Sequence, residues 1–220
     1  ICGGLNINIG TLNKNTIPSM FLAGKKANAL GHIVLLDPVG AGASRLRTDT
    51  ANRLMREVRF DAVRGNISEI KTLCTGSGST KGVDADAVDA VTEANLDDGV
   101  ALVKAFAKQT GCIIAVTGAI DLVSDGERCW CIRNGRAEMS RITGTGCQLS
   151  ALMTAFLVAN PDRKLDAAAA AVCMMGLAGE IGWANMQPGD GNSTYRDRII
   201  DAIFNMTSDA LEEGAKYELR

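Results

Sequence analysis

Apolar residues follow two alternating patterns along the chain, and these patterns predict strands and helices in turn. Short continuous apolar runs are typical of strands that are buried on both faces of a sheet. Each of these runs is followed by a stretch in which apolar residues recur with helical spacing. The runs predict strands at residues 5–10, 32–37, 60–63 and 112–117.

The remaining elements of the predicted fold are one β-hairpin and seven helices. Asp125 and Gly126 separate the apolar residues 120–123 from 128–132, which predicts a β-hairpin. Strands that alternate with helices indicate an α/β fold with a mainly parallel central sheet flanked by helices. The predicted helices span residues 15–30, 48–58, 67–73, 96–110, 146–158, 165–184 and 192–216.

Residues 75–94 form a polar, glycine-containing stretch between two predicted helices. Such stretches are typical of surface loops. We therefore expect a surface excursion here, and we assign no function to residues 75–95.

The composition argues against two classes of partner. The 220 residues suffice for one sizeable core, and a hydrophobic fraction of 46% is ordinary for a globular protein. A net charge of −2 provides no basic surface, so we expect no nucleic-acid partner. The richest apolar stretch, residues 167–181, contains glycines and is shorter than the roughly 20 residues that span a bilayer. We interpret it as a buried helix and expect no membrane partner.

The seven cysteines are scattered, and none forms a Cys-x-x-Cys motif. This pattern disfavours a zinc site or a dithiol motif and fits the reducing conditions of a cytoplasmic protein. Cys129 and Cys131 stand two residues apart in a predicted strand, so we expect both thiols on one face, in or near the core.

The segment Thr143-Gly144-Thr145-Gly146-Cys147 leads directly into a predicted helix. Backbone N–H groups in the first turn of a helix lack partners within the helix, and together with the helix dipole they attract anions. A cysteine at such a position loses its proton more readily than an ordinary thiol. The segment predicts a phosphate site beside a proton acceptor, although Cys147 could instead be a small buried hydrophobic residue.

Polar and glycine residues follow several of the predicted strands. Asp37 ends one strand, residues 64–66 and Thr117 lie at the ends of two others, and residues 144–147 open a helix. Ligands of open α/β sheets bind beyond the carboxyl ends of the strands. We therefore expect these segments to meet at one site.

The side chains at this edge indicate phosphate and metal chemistry, but most have a second interpretation. Arg64 is suited to a phosphate group. Asp37 either holds magnesium or its waters, or caps a turn. Glu69 lies one helical turn after Asn66 and belongs either to the metal site or to the solvated face of a helix. Thr117, taken alone, is most simply the last residue of a strand.

A series of short motifs runs along the chain in a fixed order: Asn8-Ile9-Gly10-Thr11-Leu12, Leu36-Asp37-Pro38-Val39-Gly40-Ala41-Gly42-Ala43, Arg64-Gly65-Asn66 with Glu69, Val116-Thr117-Gly118, Thr143-Gly144-Thr145-Gly146-Cys147 and Gly176-Leu177-Ala178-Gly179-Glu180. Together they closely resemble the hydroxyethylthiazole kinase family of the ribokinase-like superfamily. The resemblance covers essentially the whole chain. Cys147 is especially specific, because most ribokinase-like enzymes carry an aspartate at the matching position.

The resemblance implies a three-layer ribokinase-like kinase domain over residues 1–220. It also implies that the enzyme transfers the γ-phosphoryl group of ATP, with Mg²⁺, to the primary hydroxyl of 4-methyl-5-(2-hydroxyethyl)thiazole. This reaction belongs to thiamine biosynthesis and salvage.

The same resemblance implies roles for individual residues. Arg64 and Thr117 match residues that bind ATP, and Gly144 matches a glycine that contacts the thiazole. Asp37 and Glu69 match acidic residues near the magnesium ion and the phosphates. The catalytic-base position matches Cys147, and the anion hole matches the backbone of Gly144, Thr145, Gly146 and Cys147.

Members of the family form trimers with sites at the subunit boundaries, so the resemblance implies a homotrimer. They also carry several dozen residues before the segment that matches Ile1, including residues that help to bind the thiazole. We therefore expect the natural chain to begin before Ile1 and to complete the acceptor pocket there.

Two other functions fit parts of the pattern. A kinase for hydroxymethylpyrimidine or another small alcohol belongs to the same superfamily, but an aspartate rather than Cys147 would favour it. A nucleotide-binding scaffold without catalysis would bind ATP and form no product. Measuring ATP binding at equilibrium together with turnover separates such a scaffold from a kinase.

Overall fold

The computed structural model describes residues 2–75 and 90–220, in which one sheet carries strands in the spatial order β1 to β7. Strands β1 to β4 pair in parallel, and the pairs β4–β5, β5–β6 and β6–β7 are antiparallel. The parallel half brings several strand ends to one edge. The strands are β1 (Gly4–Asn8), β2 (Ile33–Asp37), β3 (Ala62–Asn66), β4 (Ile113–Thr117), β5 (Asp121–Ser124), β6 (Cys129–Ile132) and β7 (Tyr217–Leu219).

Helices cover both faces of the sheet. Short 3₁₀ helices lie at Glu93–Asn95 and Ala137–Arg141. The described α-helices are α1 (Thr16–Ala29), α2 (Arg45–Glu57), α3 (Ile67–Thr75), α4 (Leu96–Thr110), α5 (Thr145–Ala159), α6 (Lys164–Ala184), α7 (Asn192–Asn205) and α8 (Ser208–Gly214).

Two hydrophobic cores lie on opposite faces of the sheet, and alternate residues of β2 pack into one core or the other. Val34 and Leu36 of β2 pack with residues of α1 to α4, whereas Ile33 and Leu35 pack with residues of α5 to α7. All of β2 is buried, which explains its continuous apolar run. The three-layer α/β prediction is confirmed, and the predicted hairpin extends the parallel strands with antiparallel ones.

The single helix predicted at residues 192–216 is wrong, because a cap divides it. Helix α7 ends before Met206, whose backbone is extended, and the Thr207 side chain accepts a hydrogen bond from the Ala210 N–H at the start of α8. The chain then returns as β7, where Tyr217 pairs with Ile132 of β6.

Two other boundaries lie three residues from their predicted positions. Strand β3 continues to Asn66, so Arg64 lies within the strand and not after it. Helix α2 begins at Arg45, three residues early, because the Ser44 side chain accepts a hydrogen bond from the Arg47 N–H.

Helix α6 is long and apolar enough to cross a membrane by length and composition, but 67% of its apolar window is buried inside the fold. It packs against α5 and α7, as the interpretation of a buried helix requires. Cys129 and Cys131 are both fully buried, which confirms that they are core thiols. Most of the predicted surface excursion, residues 76–89, lies outside the described residues.

Candidate active site

The start of helix α5 presents free backbone donors, as the glycine segment predicts. Gly144 precedes the helix with φ of +98°, a conformation that favours glycine. The Gln148 N–H donates to the Gly144 carbonyl at 2.9 Å, so the N–H groups of residues 145–147 have no carbonyl partner within the helix. The first turn contains no acidic side chain. An anion at this position would meet both the donors and the positive end of the helix dipole.

Arg64 lies against this helix start. Its Nη2 donates to Thr117 Oγ1 at 2.7 Å, and its Nη1 lies 3.7 Å from Asp37 Oδ1. A Cβ atom on Gly146 would lie 2.5 Å from Arg64 Nη1, so glycine leaves room for the guanidinium in this position. The contact with Arg64 gives Thr117 a role beyond ending its strand.

Asp37 is fully buried behind the helix start. Its Oδ2 accepts hydrogen bonds from Asn8 Nδ2 at 2.8 Å and from Ser150 Oγ at 2.9 Å. Its Oδ1 has no hydrogen-bond partner among the described residues. Burial raises the pKa of Asp37, while the charge of Arg64 and the two hydrogen bonds oppose that rise.

Glu69 is buried, so its interpretation as a solvated helix charge is wrong. Its two carboxylate oxygens accept hydrogen bonds from the Gly40 and Asn66 N–H groups, each at 2.8 Å, and its own N–H donates to Asn66 Oδ1. This reciprocal pair with Asn66 is a capping box, which the spacing in the sequence already contained. Burial raises the pKa of Glu69, and the two backbone hydrogen bonds oppose the rise.

Cys147 is exposed, which excludes its interpretation as a small buried hydrophobic residue. Its Sγ accepts a hydrogen bond from Asn8 Nδ2 at 3.1 Å. Asn8 was not a candidate site residue in the sequence. It ends β1 directly beside Asp37 in the parallel register. The predicted strand continued to residue 10, so the sequence did not show that Asn8 stands at a strand end.

A cavity of about 930 Å³ opens on the other side of the helix start, where Arg64, Thr117 and Gly146 line it. The volume is in the range of small-molecule and nucleotide sites.

Asp121 also lines the cavity and was not predicted. Its Oδ1 accepts a hydrogen bond from the Gly118 N–H at 2.8 Å, and burial raises its pKa to about 7. The structure thus brings together all the strand-end segments that the sequence assigned to one site.

Asp121 should make stability depend on pH, because the ordinary pKa of its carboxyl is 3.8 and the folded value is about 7. The folded state binds the proton more tightly, so this group lowers the free energy of unfolding as the pH rises from about 4 to about 7. We expect Asp121→Asn to gain stability over the parent chain, and the gain to grow by about 1–2 kcal/mol between roughly pH 5.5 and pH 8.

Urea unfolding at the two pH values measures this gain. Asp162→Asn, which changes an exposed carboxyl, is the matched control and should show no such growth. A gain from Asp121→Asn that is the same at both pH values would contradict the raised pKa.

Comparison with known proteins identifies the family. The hydroxyethylthiazole kinase family matches residues 1–209. The chain belongs to this family. The hydroxyethylthiazole kinase of Clostridium acetobutylicum is 54% identical over 218 residues, which cover 99% of this chain and 80% of that protein. The corresponding kinase of Clostridium beijerinckii is 45% identical over 219 residues, which cover 99% and 78%.

Solved structures agree with the fold. Hydroxyethylthiazole kinase of Pyrococcus horikoshii has a TM-score of 0.85 and 29% identity, and the match covers 99% of this chain and 77% of that one. Pyridoxal kinase of Staphylococcus aureus, in complex with AMP-PCP, has a TM-score of 0.60 at 17% identity, with coverage of 99% and 72%. The second likeness concerns the fold alone, which is ribokinase-like.

Proposed function

We propose that this member of the hydroxyethylthiazole kinase family transfers the γ-phosphoryl group of ATP to the primary hydroxyl of 4-methyl-5-(2-hydroxyethyl)thiazole, in thiamine biosynthesis and salvage. One observation carries the proposal. The free N–H groups at the start of α5 adjoin Arg64 on one side, and the exposed sulfur of Cys147 lies on the first turn of the same helix. A phosphate donor and an alcohol acceptor can therefore approach the same point from two sides.

The cavity beside Arg64 and Thr117 is the proposed ATP site. The Arg64 side chain is 12% exposed, and its guanidinium is already paired with the Thr117 hydroxyl, which holds it in place for the phosphates. The backbone of residues 144–147 forms the proposed anion hole, and Gly144 is the proposed contact of the thiazole ring.

Asp37 and Glu69 are the proposed ligands of Mg²⁺ or of its waters. Kinase magnesium sites take one or two carboxylates together with phosphate oxygens and waters. The buried Asp37 Oδ1, which lacks a hydrogen-bond partner among the described residues, fits one such position. Mg²⁺ held there would neutralise charge on the phosphate groups.

Cys147 is the proposed general base. Its thiolate takes the proton of the substrate hydroxyl while that oxygen bonds to the γ-phosphorus, and the bond from phosphorus to the oxygen shared with the β-phosphate breaks. The N–H groups of residues 145–147 hold the oxygens of the migrating group. Products are ADP and the thiazole phosphate.

A homotrimer with sites at the subunit boundaries is also proposed. It extends the expectation that the family resemblance in the sequence provides. Light scattering of the purified full-length protein should give three times the chain mass. A cytoplasmic location is proposed as well, and the seven unpaired cysteines support it.

The assay that tests the function uses the purified full-length protein with MgCl₂, ATP and hydroxyethylthiazole, and quantifies thiazole phosphate by mass spectrometry. We expect ATP-dependent product with this alcohol and much less with hydroxymethylpyrimidine. A preference for hydroxymethylpyrimidine would overturn the substrate assignment. ATP binding without any product would favour the nucleotide-binding scaffold.

A further inference from the structure

Asn8 makes hydrogen bonds that connect three parts of the site. Its Oδ1 accepts from the Gly10 N–H at 2.8 Å, and its Nδ2 donates to Asp37 Oδ2 at 2.8 Å and to Cys147 Sγ at 3.1 Å. The residue is half-buried at the end of β1. No other described side chain bonds both to the candidate base and to the buried carboxylate.

The orientation of the Asn8 amide is fixed by these partners. A backbone N–H can only donate, so the atom that faces Gly10 must be the oxygen. The amide nitrogen therefore faces Asp37 and Cys147, and its two N–H bonds serve two acceptors. The Cys147 sulfur therefore accepts one of these two hydrogen bonds. A thiolate accepts an N–H hydrogen bond more strongly than a thiol does.

We propose that Asn8 is a positioning residue that holds the Cys147 sulfur as a proton acceptor. This inference rests on the proposed kinase function. Cys147 is exposed on the first turn of α5, so without a partner its side chain can rotate among staggered rotamers. The amide selects one of them and links it to Asp37, which faces the Arg64 guanidinium.

The proposed proton transfer takes place at the contact between Asn8 and Cys147. The substrate hydroxyl proton moves to the Cys147 thiolate as the oxygen–phosphorus bond forms and ADP departs. The sulfur then accepts the Asn8 N–H only weakly, and its exposed position lets the thiol return its proton to solvent. The second N–H of Asn8 stays on Asp37 throughout and keeps the amide in place.

Two variants separate a donor role from a merely structural one. Asn8→Asp keeps the size of the side chain and an oxygen for the Gly10 N–H, but it removes both donors. Asn8→Ala removes the oxygen as well. Asn8→Asp also places a second carboxylate beside the buried Asp37, so support for the donor role requires that Asn8→Ala lose activity as well. If the donors matter, neither variant behaves like the parent chain, and parent-like behaviour of Asn8→Asp would mean that Asn8 only shapes the end of β1.

The first readout is steady-state kinetics of the full-length protein with MgCl₂, ATP and hydroxyethylthiazole. Both variants should lose about tenfold or more in kcat, the size expected for a hydrogen bond to a charged group, while the KM for ATP stays within about twofold. Asn6→Ala is the matched control. Asn6 lies on the same face of β1, and its side-chain oxygen has no partner among the described residues. Restoration of the parent kcat by Asn8→Asp would overturn the inference.

The second readout needs no kinase activity. Iodoacetamide labelling at neutral pH, followed by peptide mass spectrometry, compares Cys147 with Cys2, an exposed cysteine of the same chain. The Cys147 to Cys2 labelling ratio should fall about tenfold in both Asn8 variants and stay unchanged in Asn6→Ala. An unchanged ratio in both Asn8 variants overturns the inference even if the kinase is active. A fallen ratio in a protein that never forms thiazole phosphate supports the contact and overturns only the proposed function.

Discussion

Cys147→Ala should lower kcat for thiazole phosphorylation by about 10²–10⁴-fold, the usual contribution of a general base. The dissociation constant for ATP should hold within about twofold, since the sulfur points towards Asn8 and does not line the cavity proposed to bind ATP. The free energy of unfolding should change little, because the side chain is exposed. Steady-state kinetics and ATP titration of the purified variant measure the first two effects, and urea unfolding measures the third.

A second substitution distinguishes a proton acceptor from a positioning group. Cys147→Asp should retain more activity than Cys147→Ala, because a carboxylate can also accept the hydroxyl proton. Cys2→Ala, which removes another exposed thiol, is the control and should leave kcat unchanged. Unchanged turnover in Cys147→Ala would show that the sulfur is not the base.

Arg64→Ala should weaken ATP binding by about 10- to 150-fold, the range for a lost hydrogen bond to a charged group. Thiazole binding should change much less, since Arg64 lines the cavity proposed to bind ATP. The variant should also lose stability, because Arg64 opposes the cost of burying the Asp37 carboxylate. Calorimetric titration with each ligand separates the two affinities.

The matched control removes an arginine of helix α2 that lies outside the candidate site. Arg53 forms an exposed pair with Glu57 on α2, so Arg53→Ala should leave both affinities intact. Equal losses of ATP and thiazole binding in Arg64→Ala would mean that the arginine does not belong to the nucleotide side of the site.

Local signals in the sequence were sufficient for most of the fold. Continuous apolar runs mark strands such as β2, which is buried on both faces, and the predicted bounds of α4, residues 96–110, agree with the structure. The division of residues 192–216 was missed because Thr207 caps a short helix inside a stretch with helical spacing. Strand β7 depends on pairing with β6, far away in sequence, and a short strand of this kind has little local signal.

Topology explains why the site could be assembled from the sequence. The rule that ligands collect beyond the carboxyl ends of parallel strands brought Asp37, Arg64 and Thr117 together before any distance was known. That rule does not predict which side chains contact each other. The Asn8 amide reaches Cys147 across 139 positions of sequence, and the buried state of Glu69 depends on the Gly40 N–H in a different loop.

Asp121 was missed for a similar reason. Its residue type and its place at the start of β5 are those of an ordinary turn acceptor, and it does accept from the Gly118 N–H. Only the packing around the cavity desolvates its carboxyl, and desolvation depends on tertiary structure.

A crystal structure of the full-length protein with Mg²⁺, AMP-PCP and hydroxyethylthiazole would show where the phosphoryl group and the substrate hydroxyl bind. We expect the γ-phosphonate within hydrogen-bond distance of the N–H groups of residues 145–147 and of Arg64, with the substrate hydroxyl beside Cys147 Sγ. A γ-phosphonate bound away from the start of α5, or a hydroxyl that points away from the sulfur, would contradict it.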